Sequence, residues 1–552
     1  MEKKRTCIPY IILSLCAVCL IIRAFFGFCS SDEPFYISTA KRLFEGDLIF
    51  VHDWFPTQLS SLILLPFYAA FVTISGGTSG IILYFRILYV VITLLLSFIT
   101  FQIIKKRSGT AAGLAMALFM LFYAHLSIAA LSYYTMSFEF FVFAMILFME
   151  QGKICQTAGG FFLALSVLAL PSLCIGVILL WLTLLVFSFK KKDLRSLLIF
   201  SALGMAAALG LFVLYLYVSG NSVENLFRFL PYVLSDDEHQ TSLVAPFKKF
   251  FNSVTDVYGP LWYLSFVLSA LGLVAARFKK LIPWIFAADF VLFLYFCFLS
   301  FGHTGYMNTA LALFAAPLFF MCEKKDIKTF VSLFLGGLIV SMTYSYSSNG
   351  ELYVLSIGHG IACAAGILFI FDFYGEHDDL VRPALIFTLS FFLMQTAALR
   401  FINVYRDAPL TRLDTRITEG PALGLLTTDE HHDTYMSVLE DINRYSENDG
   451  YVLFSKLLPW GYLASEKRVA APSTWRNPVG SERLAEFLVL YPERTPDLVF
   501  VLNADVGSYD SCGDIEADPA PNENEFNGSF ANLLNSSYEK TETSCCTIFV
   551  RR

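Results

Sequence analysis

Charged residues are scarce in this chain, and that scarcity excludes most classes of soluble protein. They make up only 15% of the 552 residues, whereas hydrophobic residues make up 56% and aromatic residues 16%. The mean hydropathy is +0.61, more than a water-soluble protein of this length keeps in solution. We therefore expect an integral membrane protein with many spans.

The chain also lacks an excess of positive charge. Its net charge of −7 argues against nucleic acid as a partner, because phosphate backbones are bound through clustered Lys and Arg. Residues 401–552 hold 24 acidic and 13 basic residues, and residues 1–400 hold 22 and 26. Because the later part has the charge content of a soluble domain, we predict a multi-span membrane domain, 1–403, and a separate C-terminal domain, 404–552.

The C-terminal domain lacks the motifs of common active sites. It contains no glycine-rich phosphate loop, nucleophile elbow or paired Cys-x-x-Cys motif. Short β-like runs alternate with helix-like runs, which predicts a small α/β domain. Its three cysteines, Cys512, Cys545 and Cys546, would allow one disulfide from Cys512 to either of the others in an oxidising compartment. We expect this domain to recognise an acceptor or support the fold.

Long apolar runs predict the topology of the membrane domain. Runs of about 20 mostly apolar residues span a bilayer as helices, and thirteen occur between residues 7 and 400. Basic clusters at 105–107, 190–192 and 324–328 place those loops in the cytoplasm. The sequence therefore predicts about thirteen transmembrane helices in the plasma membrane, with the N-terminus cytoplasmic and the C-terminal domain and the polar loop 219–257 extracytoplasmic.

One further apolar stretch, 59–74, does not fit this count. If it crossed the membrane, it would invert the charge pattern of every later loop, so we interpret it as a re-entrant or interface-lying helix. A second helix precedes it, with Tyr36 and Leu43 on one face and Arg42 on the other. This amphipathic pattern predicts a helix along the membrane surface, so that 33–75 forms two juxtamembrane helices.

Two adjacent acidic residues, Asp32 and Glu33, directly follow the first apolar run. One interpretation is local: Ser31 or Asp32 caps the next helix, Glu33 favours the positive end of its dipole, and Pro34 lies in the first turn. The other is catalytic, because a carboxylate at the outer membrane surface could remove the proton of an acceptor hydroxyl. Both can hold together, since one acid can cap while its neighbour reacts.

This organisation resembles the GT-C glycosyltransferases, specifically the family 39-like group of protein O-mannosyltransferases and the lipid A aminoarabinose transferase. The resemblance rests on the acidic pair, the helix ending at Gly46, the segment Phe55-Pro56-Thr57 before the second juxtamembrane helix, the thirteen spans and the outer domain. It implies transfer of a hexosyl or pentosyl group from a polyprenyl-phosphate donor to a protein, lipid or glycan acceptor at the outer face. It further implies Asp32 as general base, with Glu33 as the alternate.

The sequence also departs from the family pattern. Relatives of the aminoarabinose transferase usually carry Lys-Pro-Pro at 55–57, so a lysine contact to the donor phosphate is missing. Arg86 and Arg23 are candidates to replace it, because a guanidinium forms bidentate bonds with phosphate; the alternative is that each extends to the lipid headgroups. The loop 132–137 lacks the family's second acid, and Glu139, just inside a span, is the nearest candidate.

Four more side chains are candidates for contact with substrate, and each has a simpler alternative. Tyr133 and Tyr134 would touch the sugar or belong to an interfacial aromatic belt. His303 and Tyr306 would touch the donor phosphate or lie in a turn formed by two glycines.

A divalent metal is the one cofactor that the sequence suggests. Carboxylates and imidazoles are metal ligands, and two outer segments supply them: His52 with Asp53, and Asp237 with His239. The alternative for the second segment is a solvated acidic turn.

Two other functions compete with glycosyl transfer. A surface-polysaccharide polymerase or ligase would depend on outer-loop Arg and His. A transporter or lipid flippase would use an acid within a span such as Asp289, but the hydropathy shows no repeated halves.

Overall fold

The computed structural model describes residues 7–189, 192–235, 245–344, 352–377, 381–446, 450–455, 458–502 and 528–552. Within these ranges, seven helices are long and apolar enough to cross a membrane, and seven shorter apolar helices accompany them. Apart from the helix Ser60–Ser75, each apolar helix coincides with one of the thirteen predicted runs. The predicted polytopic helical architecture is therefore confirmed.

The helices before the long polar loop are α1 (Ile8–Arg23), α2 (Asp32–Phe44), α3 (Ser60–Ser75), α4 (Ile81–Ser108), α5 (Thr110–Phe122), α6 (Tyr133–Met149), α7 (Lys153–Ala169), α8 (Leu173–Ser188) and α9 (Lys192–Ser219). The loop 219–257 contains α10 (Val223–Leu234) and α11 (Ala245–Tyr258). After it come α12 (Leu264–Ala275), α13 (Ile282–Leu299), α14 (Thr304–Met321), α15 (Ile327–Tyr344), α16 (Leu352–Glu376) and α17 (Arg382–Ile402).

Burial separates central helices from peripheral ones. α6 is buried along most of its length, and most of the apolar part of α16 is also enclosed. By contrast, α9 and α12 expose many large apolar side chains, among them Leu203, Leu211, Phe266 and Leu273. A helix that is apolar all round is stable only inside protein or in lipid, so the peripheral helices present the lipid-facing surface.

Small residues let neighbouring helices approach closely. A Cβ atom at Gly160 of α7 would overlap the backbone at Ser201 of α9, and one at Gly204 of α9 would overlap the backbone at Thr157 of α7. Such contacts are typical of membrane helices, whose association depends on close packing because lipid tails are as apolar as the side chains.

The environment of α2 differs from the prediction. A helix on a membrane surface keeps its charged face in water, but Lys41 and Arg42 are both buried. The Lys41 ammonium donates to the carbonyls of Tyr462 (2.6 Å) and Ser465, and Arg42 donates to the carbonyl of Ala471 (3.0 Å). The helix is amphipathic as predicted, but its polar face packs against the C-terminal part of the chain and does not face water. α3 begins one residue later than predicted and packs beside α2.

The C-terminal part is built on a mixed sheet. Its strands are β3 (Tyr451–Ser455), β4 (Arg468–Val469), β5 (Leu498–Leu502), β6 (Tyr538–Glu542) and β7 (Cys546–Arg551), in the order β4-β3-β5-β7-β6. The first three are parallel and the β5–β7 and β7–β6 pairs are antiparallel. Every residue of the central strand β5 is buried, as expected for a parallel strand covered on both faces.

Helices pack around this sheet, namely α18 (Asp429–Tyr445), α19 (Pro459–Ala464), α20 (Glu482–Leu490) and α21 (Ser529–Ser537), and a small hairpin, β1 (Thr415–Arg416) with β2 (Leu426–Thr427), precedes them. The predicted α/β character is thus present. Cys545 and Cys546 are buried free thiols, and Cys512 lies outside the described residues.

Backbone hydrogen bonds fix the C-terminal part to the membrane part. The N–H of Gly27 donates to the carbonyl of Leu426, and the N–H of Leu426 donates to the carbonyl of Phe25, both at 2.7 Å. The N–H of Trp54 donates to the carbonyl of Pro472 at 2.7 Å. The first two bonds fix the segment between α1 and α2, which leads directly into the acidic pair, and the third fixes the segment between α2 and α3.

Candidate active site

The first turn of α2 places Asp32 against the segment that follows α17. The Tyr405 hydroxyl donates to Asp32 Oδ2 at 2.8 Å, the Ser31 hydroxyl donates to the same oxygen at 3.3 Å, and Arg406 Nε lies 3.4 Å from it. Within the described ranges no hydrogen bond reaches Oδ1 of Asp32. Because the side chain is 12% exposed, one carboxylate oxygen is fixed and the other is available to a substrate.

Arg406 adopts a backbone conformation that is unusual for a side-chain-bearing residue. Its φ angle is +51°, a left-handed value that costs on the order of 1–3 kcal/mol and often occurs at functional sites. Its Nη1 donates to Ser31 Oγ at 3.1 Å. Burial alone would lower the pKa of Arg406, but the neighbouring Asp32 carboxylate raises it above its usual value. The site therefore holds a permanent cation beside its acid.

Glu33 and Arg86 form a buried ion pair. Arg86 Nε lies 3.1 and 3.0 Å from the two Glu33 oxygens, and Nη2 lies 2.5 Å from Oε2. Arg86 Nη1 donates to the carbonyls of Ala24 (3.1 Å), Phe26 (3.2 Å) and Gly27 (2.7 Å). This guanidinium supports the loop before the acidic pair, and its predicted contact with donor phosphate stays a prediction.

One part of the local interpretation of the acidic pair, the capping of α2 by the side chain of Ser31 or Asp32, is wrong. Ser31 precedes the helix but makes no side-chain capping bond, and the Asp32 carboxylate bonds to Tyr405 instead. Asp32 and Glu33 still lie at the positive end of the helix dipole, which stabilises both negative charges.

Arg23 joins the first and last apolar helices. It ends α1 and donates to the carbonyls of Phe26 (2.8 Å), Phe401 (3.1 Å) and Asn403 (2.6 Å). The last two lie at the C-terminal end of α17, where helix carbonyls lack partners within the helix. Arg23 therefore provides hydrogen bonds to carbonyls at the end of α17. It thereby holds Tyr405 and the residues around it close to Asp32.

The two predicted tyrosines contribute to an aromatic wall next to α2. The Tyr133 ring lies 5.6 Å from that of Tyr36 and 3.9 Å from that of Tyr134, and His125 lies 4.3 Å from Tyr134. The Tyr36 hydroxyl and both His125 nitrogens are buried without a hydrogen-bond partner in the described chain. Burial lowers the pKa of His125 to about 3, so its imidazole is neutral.

Glu139 lies deeper, among charged groups without ion-pair partners in the described residues. Thr93 Oγ1 donates to Glu139 Oε1 at 2.7 Å, but Oε2 has no partner. Arg400, near the end of α17, is 3% exposed, and its Nε and Nη1 likewise have none. Its guanidinium lies 5.5 Å from the centre of the Tyr89 ring. Unpaired buried charges are costly, so this region is suited to water or a polar ligand.

A second buried set of charges, the Arg42 cluster, consists of Arg42, Asp47, His52, Asp53 and Arg494. Arg42 lies 2.8 Å from Asp47 and 3.2 Å from Asp53, and Arg494 lies 2.7 Å from Asp47. Burial would raise the pKa of Asp47, but Arg42 and Arg494 hold it below its usual value. Each guanidinium in this cluster therefore faces a carboxylate.

The metal prediction finds no support in the described ranges, which contain no group of three or more His, Cys, Asp and Glu suited to an ion. His52 Nδ1 accepts the N–H of Leu48 at 2.9 Å, and Asp53 is held by Arg42, so both side chains already have protein partners. Asp237 and His239 lie outside the described residues.

The remaining candidates lie on other helices. His303 precedes α14 and is exposed, and its ring lies 4.8 Å from that of Tyr306. Asp289, the residue of the transporter alternative, is buried in α13, and its Oδ2 has no partner among the described residues.

Sequence reasoning missed Tyr36, His125, Arg400, Tyr405 and Arg406 as site residues. Arg400 could have been found, because the rule that selected Glu139 also applies to a guanidinium inside an apolar run. The contact between Asp32 and Tyr405 spans 373 residues and has no local sequence signal.

Comparisons with known proteins agree with the fold. No family model matches the chain, and no curated protein matches its sequence. The structure of ArnT from Cupriavidus metallidurans bound to undecaprenyl phosphate is similar over 100% of this chain and 98% of that one, at 9% identity and a TM-score of 0.50. An oligosaccharyltransferase from Archaeoglobus fulgidus, solved with zinc and sulfate, matches over 98% of this chain and 73% of that one, at 12% identity and a TM-score of 0.37. The chain therefore shares the overall fold of the ArnT structure along its whole described length.

Proposed function

We propose that this protein transfers a sugar from a polyprenyl-phosphate donor to an acceptor at the outer face of the membrane, with Asp32 as general base. One observation carries the proposal: Asp32 is held by Tyr405, Ser31 and Arg406 through Oδ2, while Oδ1 accepts no hydrogen bond from the described residues. A general base needs a fixed carboxylate with one oxygen within reach of the acceptor hydroxyl.

The donor class is supported by the fold and by the distribution of cations. ArnT, the structural neighbour, was solved with undecaprenyl phosphate. Phe55 occupies the position where relatives of the aminoarabinose transferase carry a lysine, and its ring lies 4.8 Å from that of Phe35. Arg406 and Arg400 are candidates to replace that lysine, because Arg406 lies beside Asp32 and two N–H groups of Arg400 have no partner among the described residues. Guanidinium groups bind phosphate through charge-assisted hydrogen bonds.

The proposal requires Asp32 and residues 404–552 to lie outside the cell, with the N-terminus in the cytoplasm. Reporter fusions after Arg107, Lys192 and Arg552 test this orientation. The first two are expected to report cytoplasm and the last the outer side. A cytoplasmic signal after Arg552 would contradict the odd number of spans.

The reaction itself is tested with purified protein in detergent and a panel of undecaprenyl-phosphate sugars. Release of undecaprenyl phosphate from one of them, dependent on an added lipid, glycan or protein acceptor, is the expected result. The control replaces an exposed carboxylate, Asp433→Asn, whose side chain is 81% exposed on α18, and this variant should retain full turnover. If no sugar is released from any donor by correctly folded protein, the proposed activity is wrong.

A further inference from the structure

A cavity of about 860 Å³ lies at the end of the helix bundle opposite Asp32. α4 links the two places, since Arg86 near its start contacts Glu33 and Arg107 near its end lines the cavity. At a rise of 1.5 Å per residue the two arginines are about 30 Å apart along the helix. The cavity is therefore separate from the candidate active site and lies close to the other face of the membrane.

The walls of the cavity are mostly apolar. Met145 and Phe148 of α6, Leu180 and Leu184 of α8, Leu197 of α9 and Val331 of α15 line it. Its volume falls within the range of about 300–1,000 Å³ that is typical of small-molecule sites. Because water gains few hydrogen bonds on such walls, hydrocarbon is the favoured occupant.

The backbone of α15 is irregular where it borders this cavity. Residues Phe330–Leu335 form a π-helical segment, a rare geometry that is frequent at functional sites. The Phe330 ring stacks on Phe319 at 4.3 Å, whereas Val331 and Ser332 line the cavity. The irregular turn thus forms part of the wall of the cavity.

The cavity is lined by two basic residues, Arg107 and Lys328, and two acidic ones, Glu150 and Asp326. Its two acidic residues have basic partners, since Asp326 pairs with Arg107, and Glu150 lies 3.5 Å from Lys106. Lys328 also lines the cavity, is exposed, and has no ion-pair partner in the described part of the chain. An apolar cavity with an exposed lysine at its rim, outside any described ion pair, is complementary to a lipid that has an acyl chain and a negatively charged headgroup.

We propose that this cavity binds one acyl chain of an anionic glycerophospholipid, with Lys328 contacting the headgroup phosphate. The site does not depend on the proposed glycosyl transfer, because its residues lie at the other end of the bundle.

Native mass spectrometry of the full-length protein tests the site. Delipidated protein in detergent is titrated separately with dioleoyl phosphatidylglycerol, dioleoyl phosphatidylcholine and undecaprenyl phosphate. We expect one phosphatidylglycerol to be retained preferentially. Lys328→Gln should reduce its retention about fivefold, as expected for one lysine near an anionic lipid. The matched control, Lys280→Gln, changes an exposed lysine in the loop before α13 and should leave retention unchanged.

A second variant, Leu184→Trp, fills the cavity and should remove the bound lipid. If Leu184→Trp does not fold, the comparison of Lys328→Gln with Lys280→Gln decides alone, because both lysines are exposed. Equal retention of phosphatidylglycerol and phosphatidylcholine, equal effects of the two lysine substitutions, or preferential retention of undecaprenyl phosphate would each overturn the proposal.

Discussion

The Arg42 cluster and the region around Asp32 both bury several charges beside the same helix, but they differ in how those charges are paired. In the Arg42 cluster, Arg42 and Arg494 both face carboxylates at 2.7–3.2 Å. Around Asp32, Oδ1 of that residue accepts no hydrogen bond from the described residues, and the Tyr36 hydroxyl, the His125 nitrogens and two N–H groups of Arg400 are buried without partners there. The Arg42 cluster leaves only Nη1 of Arg494 unpaired among the five described side chains that form it, so unpaired groups are more numerous where we propose the substrate binds.

This difference has an energetic basis. A buried ion pair offsets the cost of its desolvation only if each charge contacts a partner of opposite charge. The Arg42 cluster is therefore best suited to stabilising the fold. A region that leaves donors and acceptors unpaired is costly in the free protein. A ligand that supplies the missing partners recovers part of that cost when it binds.

The largest effect is expected from breaking the ion pairs of the Arg42 cluster. Arg42→Met leaves Asp47 and Asp53 with reduced compensation, so the free energy of unfolding should fall by about 3–5 kcal/mol. Denaturant titration in detergent measures it. Arg412→Met, at an exposed position, serves as control and should change stability by less than about 0.5 kcal/mol. Equal stability of the two variants would show that the Arg42 cluster does not stabilise the fold.

Asp32→Asn should act on the reaction and not on the fold. Asparagine keeps the shape of the side chain and an oxygen for the Tyr405 hydroxyl, but it cannot accept the substrate proton. We expect turnover to fall about a hundredfold or more, with only a small fall in melting temperature, because Arg406, which loses its carboxylate partner, is 23% exposed. Glu33→Gln should instead lower stability, because it removes the partner of Arg86. Wild-type turnover in Asp32→Asn would remove this residue from the mechanism.

Arg400→Gln tests whether buried N–H groups without partners indicate where the polyprenyl-phosphate donor binds. Loss of one charge-assisted contact should weaken binding of undecaprenyl phosphate about tenfold, while stability stays the same or rises. Arg86→Gln provides the comparison, since it should lower stability by leaving Glu33 unpaired. Isothermal titration in detergent measures both affinities. If Arg400→Gln binds the lipid as tightly as wild type, incomplete pairing is not a guide to the site.

The last test concerns pH and the Arg42 cluster. Burial lowers the pKa of His52 to about 4, against the opposing influence of Asp47. The unfolded chain therefore takes up a proton near pH 6.5 that the folded protein does not bind until about pH 4, so stability falls as pH decreases across this window. His52→Asn keeps an acceptor for the Leu48 N–H, and its stability should depend less steeply on pH between 6.5 and 4. An identical slope would contradict the lowered pKa.

The sequence predicted the helices well and the contacts between distant segments poorly. Apolar runs must be helical in a bilayer because every backbone group needs a partner, so their positions follow from composition. The environment of Arg42 could not be predicted, since only the folded chain brings Ala471 to its guanidinium. The same holds for Asp32. Its position after the first span follows from the sequence, but its pairing with Tyr405 and Arg406 depends on the packing at the end of α17, where Arg23 binds the carbonyls.

That packing has a consequence for how the protein is made. Asp32 emerges early in synthesis, and Tyr405 follows 373 residues later, about 20 to 75 s at typical translation rates of about 5–20 residues per second. Throughout that interval the carboxylate has neither the tyrosine nor the arginine that fixes it, and the end of α17 is not yet present for Arg23. A nascent or truncated chain that stops before α17 therefore lacks the assembled candidate site, so the proposed transfer requires synthesis to continue past Arg406.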